Sequence, residues 1–207
     1  MVRLSAEIKV GEQWYEIVDN LISISFSGQD RSDPSLPSWG IKSNSGSLEM
    51  YDTDGTIGEL SREGHLANSE IRIYLNVSTR KEQIGGFYII NAVKDRQTDK
   101  TKIEFQDILM SWQQISAPKY YNFYKDSKEN ITLANIIDFI SEKSAISNVL
   151  DNTDNITLSR IESICILHPQ IEQGTLWSQM TEICEASSCY IYCDKLGVPT
   201  IYYGGDT

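Results

Sequence analysis

The sequence predicts an α+β protein in which a strand-rich half is followed by a half that combines helices with a hairpin. In the first half apolar and polar residues alternate, as in Ile71, Ile73 and Leu75, which is the period of a half-buried strand. In the second half the period becomes helical, with an apolar stripe at spacing i, i+3, i+4 and i+7: Leu133, Ile136, Ile137 and Ile140. The change of period near Ser116 divides the chain into residues 1–115 and 116–207.

Length, composition and charge limit the class of protein. The chain has 207 residues, of which 40% are hydrophobic and 10% aromatic, enough to bury a core. Its 18 Lys and Arg against 29 Asp and Glu leave a net charge of −11, which would repel nucleic acid. No apolar run reaches the roughly 18 residues that cross a bilayer. Met1–Val10 lacks a secretory signal, so we expect synthesis in a cytoplasm.

The strand-rich half is predicted to be a barrel or a sandwich, because its many short strands are separated by turns rather than crossover helices. It begins with a hairpin, in which a strand ending at Val10 turns at Gly11-Glu12 and returns over Gln13–Val18. The next strand, Leu21–Ser27, is predicted to place Ile22, Ile24 and Phe26 on one buried face. A long loop at Gly28–Ser38 precedes four further predicted strands: Ser47–Tyr51, Glu70–Val77, Phe87–Lys94 and Lys102–Asp107.

The second half is predicted to contain a helix near 132–143, a strand, a helix near 175–186 and a hairpin over 189–203. Thr132 is a suitable N-cap of the first helix, and Ile131 can pack on Ile136 as a hydrophobic staple. The second helix begins at Thr175 and carries the apolar stripe Leu176, Met180, Ile183, Cys184 and Ser187. The polar segment Asp151–Asn155 is predicted to be a break.

Three of the four cysteines lie within ten residues, a spacing that resembles a metal-binding cluster: Cys184, Cys189 and Cys193. On one strand Cys189 and Cys193 would lie roughly 13 Å apart, too far for one zinc ion or one disulfide. Cys184 falls on an apolar helix stripe. With Cys165 they all lie in the last quarter of the chain, so we expect free thiols that behave as small hydrophobic residues.

No pattern of catalytic or metal-binding residues stands out. His65 and His168 have no nucleophile at a familiar spacing, and the motifs of serine and zinc hydrolases are missing from the sequence. The segment Asp52-Thr53-Asp54-Gly55 resembles the start of a calcium loop, but Ser61 stands where that loop needs a glutamate. We therefore interpret the segment as a tight turn, and predict no catalytic, cofactor-binding or metal residues.

Aromatic residues offer a different kind of site. The stretch Lys119–Lys125 is aromatic and basic and could stack bases or sugars, but the net charge favours packing between the two halves of the chain or against a partner. A carbohydrate-binding module would use exposed rings as stacking platforms. The candidate rings are Trp39, Trp112, Tyr120 and Tyr121.

Two groups of segments resemble phage tail proteins. Gly46–Gly55, Ile71–Leu75 and Gly85–Ile90 resemble the N-terminal region of proteins at the bacteriophage tail tip. Three segments of the second half resemble the hub module of phage baseplates, which contractile-phage late-control proteins and type VI secretion spikes share: Thr132–Ile140, Gln173–Met180 and Tyr190–Gly197. In that module a helix, a second helix with Trp near its start, and a hairpin with a D-x-x-G turn follow in this order.

The resemblance implies a non-enzymatic structural protein without cofactors, a homotrimer that closes the tail tube and attaches a spike, fibre or tail-associated domain. It implies contact with other tail proteins, a place in the virion tail used in host attachment, and assembly in the bacterial host cytoplasm. Hub proteins usually continue well past the D-x-x-G hairpin, so either a short variant or the N-terminal part of a longer tail protein is implied. The alternatives are a fibre adaptor or carbohydrate-binding module, and the head of a tail-associated peptidoglycan hydrolase.

Overall fold

Two units, each with its own hydrophobic core, make up the structure, a computed structural model that describes residues 2–28, 40–117, 121–122, 131–166, 170–171 and 174–204. Unit 1 comprises residues 1–28, 44–108 and 194–197. Unit 2 comprises residues 29–43, 109–193 and 198–207. Strands and helices occur in both parts of the chain, which confirms the predicted α+β class.

The elements are numbered along the chain. The strands are β1 (Val2–Val10), β2 (Gln13–Ile17), β3 (Leu21–Gly28), β4 (Gly40–Lys42), β5 (Asn44–Tyr51), β6 (Glu70–Val77), β7 (Arg80–Asp95), β8 (Lys100–Gln106), β9 (Tyr121–Asn122), β10 (Gln170–Ile171), β11 (Cys189–Cys193) and β12 (Pro199–Tyr203). The α-helices are α1 (Thr56–Arg62), α2 (Leu133–Lys143), α3 (Asn155–Ser163) and α4 (Leu176–Ala186), and 3₁₀ helices cover Ile108–Gln113 and Val149–Asn152.

Unit 1 is built on one antiparallel sheet of seven strands in the order β2-β1-β6-β7-β8-β5-β3. The end strands β2 and β3 are joined only by residues 18–20, so Ile17 and Leu21 lie at most about 14 Å apart. In a flat sheet, six strand spacings would separate the two ends by about 29 Å. The sheet must therefore curl, which agrees with the predicted barrel-like half rather than a sandwich.

The predicted strands of unit 1 are confirmed, but the buried face of β3 is partly wrong. The register of β3 on β5 shifts between Leu21 and Ser23, and a bulge of this kind reverses the alternation of side chains. Leu21 therefore packs against the core, while Ile22 is 38% exposed. Ile24 is also packed against the core, and Phe26 stays 48% exposed at the sheet's end.

Two glycines in unit 1, Gly86 and Gly197, allow the backbones of two segments to pack closely against each other. A Cβ on Gly86 would lie 2.5 Å from the Leu196 carbonyl oxygen, and one on Gly197 would lie 2.8 Å from that of Gly86. Gly197 also has a φ of 83°, which disfavours other residues. The salt bridge from Lys195 Nζ to Glu82, at 2.9 Å, adds to this contact. The glycine-rich strand and the D-x-x-G turn thus pack together.

Unit 2 packs helices on a three-stranded sheet in the order β12-β11-β4. The predicted helices and hairpin are confirmed: Thr132 and Thr175 form capping boxes with Asn135 and Ser178 at the starts of α2 and α4. The predicted α2 stripe is buried in the core of unit 2, at exposures of 0–3%: Leu133, Ile136, Ile137 and Ile140. Strand β11 pairs antiparallel with β12 and parallel with β4.

Helix α3 is the main element of unit 2 that the sequence analysis missed. The structure has α3 and the two-residue β10 where the sequence predicted one strand between two helices. Only Thr157 and Ile161 of α3 are buried, so its apolar period is too weak to detect. Among the described residues, no helix is long and apolar enough to cross a membrane.

Candidate assembly surfaces

The acidic turn that begins at Asp52 starts helix α1, and the carboxylate of Asp52 itself is buried. Asp52 is 1% exposed and accepts hydrogen bonds from the N–H groups of Ile57 and Gly58, at 3.1 and 2.8 Å. Thr101 Oγ1 donates a third at 3.1 Å, and Lys94 Nζ lies 3.5 Å from the carboxylate. The predicted turn is confirmed, and the helix it starts was not predicted. Within the described ranges, no three His, Cys, Asp or Glu residues converge as metal ligands.

The cysteines are free thiols, as expected. Burial raises the pKa of Cys189 to about 11 and that of Cys184 well above its ordinary value. Cys193 is half-buried and Cys165 exposed. At neutral pH the two buried thiols are therefore protonated and act as apolar packing groups.

The candidate histidines and stacking rings are only partly within the described residues. His65 is exposed, with Nε2 3.5 Å from Glu63. Trp112 is 2% exposed in the core of unit 2, so its suggested role as a stacking platform is wrong. For Tyr121 the structure describes only the backbone pairing with Ile171. Five predicted features lie wholly or mostly outside the described residues: the loop Gly28–Ser38, His168, Trp39, Tyr120 and the stretch Lys119–Lys125.

The outer face of β1, β2, β6 and β7 carries a charged network that the sequence analysis did not find. Lys81 Nζ lies 2.6 Å from Glu7 and 2.7 Å from Glu16, and Tyr74 donates a hydrogen bond to Glu7 at 2.7 Å. Partial burial pushes the pKa of Glu7 upward, but the hydrogen bonds from Lys81 and Tyr74 outweigh it and lower that pKa. One lysine faces two carboxylates here, so these three groups together carry a net charge of −1.

A groove of ≈ 400 Å³ crosses the other part of the same sheet, on β3, β5, β8 and β7. Its lining includes an ion pair between Lys102 Nζ and Glu104 at 2.8 Å and two exposed apolar residues, Phe26 (48%) and Ile90 (49%). The lining residues are Ser25, Phe26, Ser45, Gly46, Ser47, Ile90, Lys102, Glu104 and Phe105. A Cβ on Gly46 would lie 2.7 Å from Phe105 Cε2, so the glycine leaves room for the buried Phe105 ring.

Unit 2 presents a cluster of tyrosines on its sheet. The ring of Tyr190 lies 5.7 Å from that of Tyr192 and 5.1 Å from that of Tyr202, and Lys42 Nζ lies 4.1 Å from its centroid. The rings are tilted by 38–45°, so they form no flat platform for a sugar. The alternation of Tyr190 and Tyr192 in a predicted strand was the available indication of this cluster.

The solved structures that share this fold include phage tail proteins. A tail protein from Neisseria meningitidis MC58 is 11% identical, with a TM-score of 0.56 over 96% of this chain and 50% of that chain. The 43 kDa tail protein of prophage MuSo2 from Shewanella oneidensis is 15% identical, with a TM-score of 0.54 over 95% of this chain and 53% of that chain. A chain of the half-lidded Francisella PdpA-VgrG complex is 15% identical, with a TM-score of 0.56 over 100% of this chain and 32% of that chain.

The low sequence identity of these structures limits the similarity to the fold. No protein-family model and no curated protein matches the sequence. The chain spans about half the length of the two tail proteins and about a third of the Francisella chain. At 11–15% identity the likeness shows the fold. The resemblance predicted from the sequence is confirmed at that level, and the chain has the fold of phage tail proteins.

Proposed function

We propose that the chain is a structural component of a bacteriophage tail tip, a hub-like protein that closes the tail tube and attaches a spike, fibre or tail-associated domain. The observation that carries the proposal is the extent of the shared fold. The likeness to tail proteins covers 95–96% of the chain and therefore includes both units. The predicted domains, 1–115 and 116–207, would then be the two hub domains.

The exposed surfaces support a role in assembly rather than catalysis. Large apolar side chains are exposed in both units, among them Val93 (58%) in unit 1 and Ile156 (72%) in unit 2. Burying such side chains against a partner would remove apolar surface from water and favour association. The net charge of −11 would keep unassembled copies apart until such contacts form.

The proposed partners are further copies of this chain and other tail proteins. We infer a homotrimer in the virion tail, assembled in the host cytoplasm, from the hub resemblance. The Francisella neighbour lies in a complex with another protein, which supports partners of a different kind. The proposed role needs no cofactor and no catalytic residue.

Light scattering after size-exclusion chromatography tests the proposal. We expect a species of three times the 23.5 kDa chain mass at high protein concentration, and rings in class averages by electron microscopy. Added salt should shift the equilibrium toward the trimer, because it screens the repulsion between acidic copies. A chain that stays monomeric at high concentration and high salt would contradict the proposal.

A further inference from the structure

Strand β3 is an end strand of the seven-stranded sheet, and none of its residues is charged or proline. Natural proteins usually protect such edges with charges, proline, short length, a bulge or a covering element, because an open edge pairs with other strands. The bulge in β3 lies at its start, between Leu21 and Ser23. From Ser23 onward β3 is regular, pairing with β5 as far as Gly28.

The other end strands carry such protection. At the edge of β12, the Ile201 N–H donates to Thr153 Oγ1 at 3.4 Å, and Thr200 Oγ1 donates to the Asn152 carbonyl at 3.1 Å. Strand β4 is only three residues long. Strand β2 has five residues, and its Glu16 is held by Lys81. Among the end strands of the two larger sheets, β3 alone is long and uncharged.

The side chains of β3 suit an apolar contact. The Phe26 ring lies 5.9 Å from that of Phe87 and 6.1 Å from that of Phe105, so buried aromatic neighbours already fix its position. Nearly half of the Phe26 side chain nevertheless remains exposed. Burying a side chain that is already ordered costs little conformational entropy. The groove beside Phe26, whose two charged lining residues Lys102 and Glu104 form an ion pair, has room for side chains of an added strand.

We propose that a second copy of this chain adds an extended, uncharged segment along the edge of β3 that no other described strand pairs with. The net charge of −11 opposes contact between copies over most of the surface, whereas β3 brings no charge to the contact. The proposal rests on the proposed assembly function and names where two copies meet. In a trimeric ring the added segment differs from β3 itself, because ring closure joins two different patches.

Hydrogen exchange of the full chain, followed by mass spectrometry at low and high protein concentration, tests the proposal. We expect the amides of β3 to exchange about tenfold more slowly, or slower still, at high concentration. The Ser25→Lys variant places a charge on the edge and should remain monomeric. The matched control is Asn91→Lys, which introduces a lysine in the central strand β7. Asn91 lies in the same row of cross-strand partners as Ser25, through Ser47 and Glu104. It should assemble as the wild type does.

The outcomes separate the two proposals. A wild-type chain that never associates contradicts the assembly function as well as the contact at β3. Trimers or rings whose β3 amides exchange at the monomer rate overturn the β3 proposal and leave the function standing. Slow exchange of β3 at the lowest concentration would show that the same chain covers the edge, and overturns the proposal too. Equal assembly of Ser25→Lys and Asn91→Lys, with thermal unfolding like the wild type, also overturns it.

Discussion

The secondary structure elements of the two units are set by contacts of different range along the chain. In unit 1 the core residue Leu48 pairs with Ile24 on one side and with Ile103 on the other, so distant segments must meet before the core exists. In unit 2 the helices begin with bonds between near neighbours, as between Thr132 and Asn135. The helices of unit 2 are therefore started by local sequence, although its sheet pairs β11 with the distant β4, whereas unit 1 depends throughout on the register of distant strands.

Two helix-capping aspartates show the same contrast on a smaller scale. Asp52 in unit 1 is buried, and its partners include Thr101 and Lys94, more than forty positions away. Asp154 in unit 2 accepts hydrogen bonds from Ile156 and Thr157, at 3.0 Å each, within its own helix. Removal of Asp52 should therefore disturb the sheet, whereas removal of Asp154 should disturb only one helix end.

The largest effect should come from Ile136→Asp in α2. Ile136 is 3% exposed within the core of unit 2, where a carboxylate would have no partner. We expect a loss of more than about 4 kcal/mol in the free energy of unfolding of unit 2. Hydrogen exchange resolved by segment should show protection lost in unit 2 and retained in β5–β8.

The matched control is Ile156→Asp, which makes the same exchange on α3 at a site that is 72% exposed. It should change the free energy of unfolding by only about 0.5 kcal/mol. Normal unfolding of Ile136→Asp would show that the buried face of α2 is assigned wrongly. Equal loss of protection in both units would mean that they unfold together, and would erase the distinction between them.

Asp52→Ala should have the next largest effect, now in unit 1. It leaves the N–H groups of Ile57 and Gly58 without their acceptor, and Lys94 without its buried counter-ion. We expect unit 1 to lose about 3 kcal/mol. Urea unfolding measures this loss of stability. Hydrogen exchange of the native variant should be faster than in the wild type in α1 and β8.

Asp54→Ala is the control within the same turn, because Asp54 is exposed and accepts a hydrogen bond from the nearby Thr56 N–H at 3.2 Å. Its loss should cost about 1 kcal/mol or less. If both variants lost the same stability, the distant partners of Asp52 would contribute nothing, and its capping would be as local as that of Asp154.

The contrast between units explains which features the sequence could predict. The helices α2 and α4 were predictable because a cap residue, Thr132 or Thr175, precedes an apolar stripe within a few positions. The outward turn of Ile22 was not, because a bulge depends on the register chosen with β5. Helix α1 could not be predicted from a cap residue, because its N-cap is Gly55 and the carboxylate that accepts its N–H bonds belongs to Asp52, three residues earlier.

The exposed and buried aromatic residues also depend on tertiary structure rather than on local sequence. The exposure of Phe26 and the groove beside it follow from the position of β3 at the sheet's end, which strand alternation does not reveal. The burial of Trp112 follows from tertiary packing around the helices of unit 2. The shared fold was predictable because it depends on the order of elements, which the local patterns carry.

The smallest expected effect concerns the cap of α3 and depends on pH. Hydrogen bonds to Asp154, chiefly from the Thr157 backbone N–H, lower the pKa of its carboxyl group. A lowered folded-state pKa means that the cap stabilises unit 2 above the unfolded aspartate pKa of about 3.9. That contribution is lost as the pH falls through the still lower folded-state value.

Asp154→Ala should therefore cost unit 2 about 1 kcal/mol at neutral pH, and less as the pH falls below about 4. Asp154→Asn keeps an acceptor that does not titrate, so its stability relative to Asp154→Ala should be independent of pH. Chemical denaturation of all three proteins at several pH values measures both differences. A deficit of Asp154→Ala that stayed constant down to low pH would mean that the charge of Asp154 adds nothing to the cap. A loss of protection in the strands of unit 1 would show that Asp154 acts beyond its own helix, as Asp52 does.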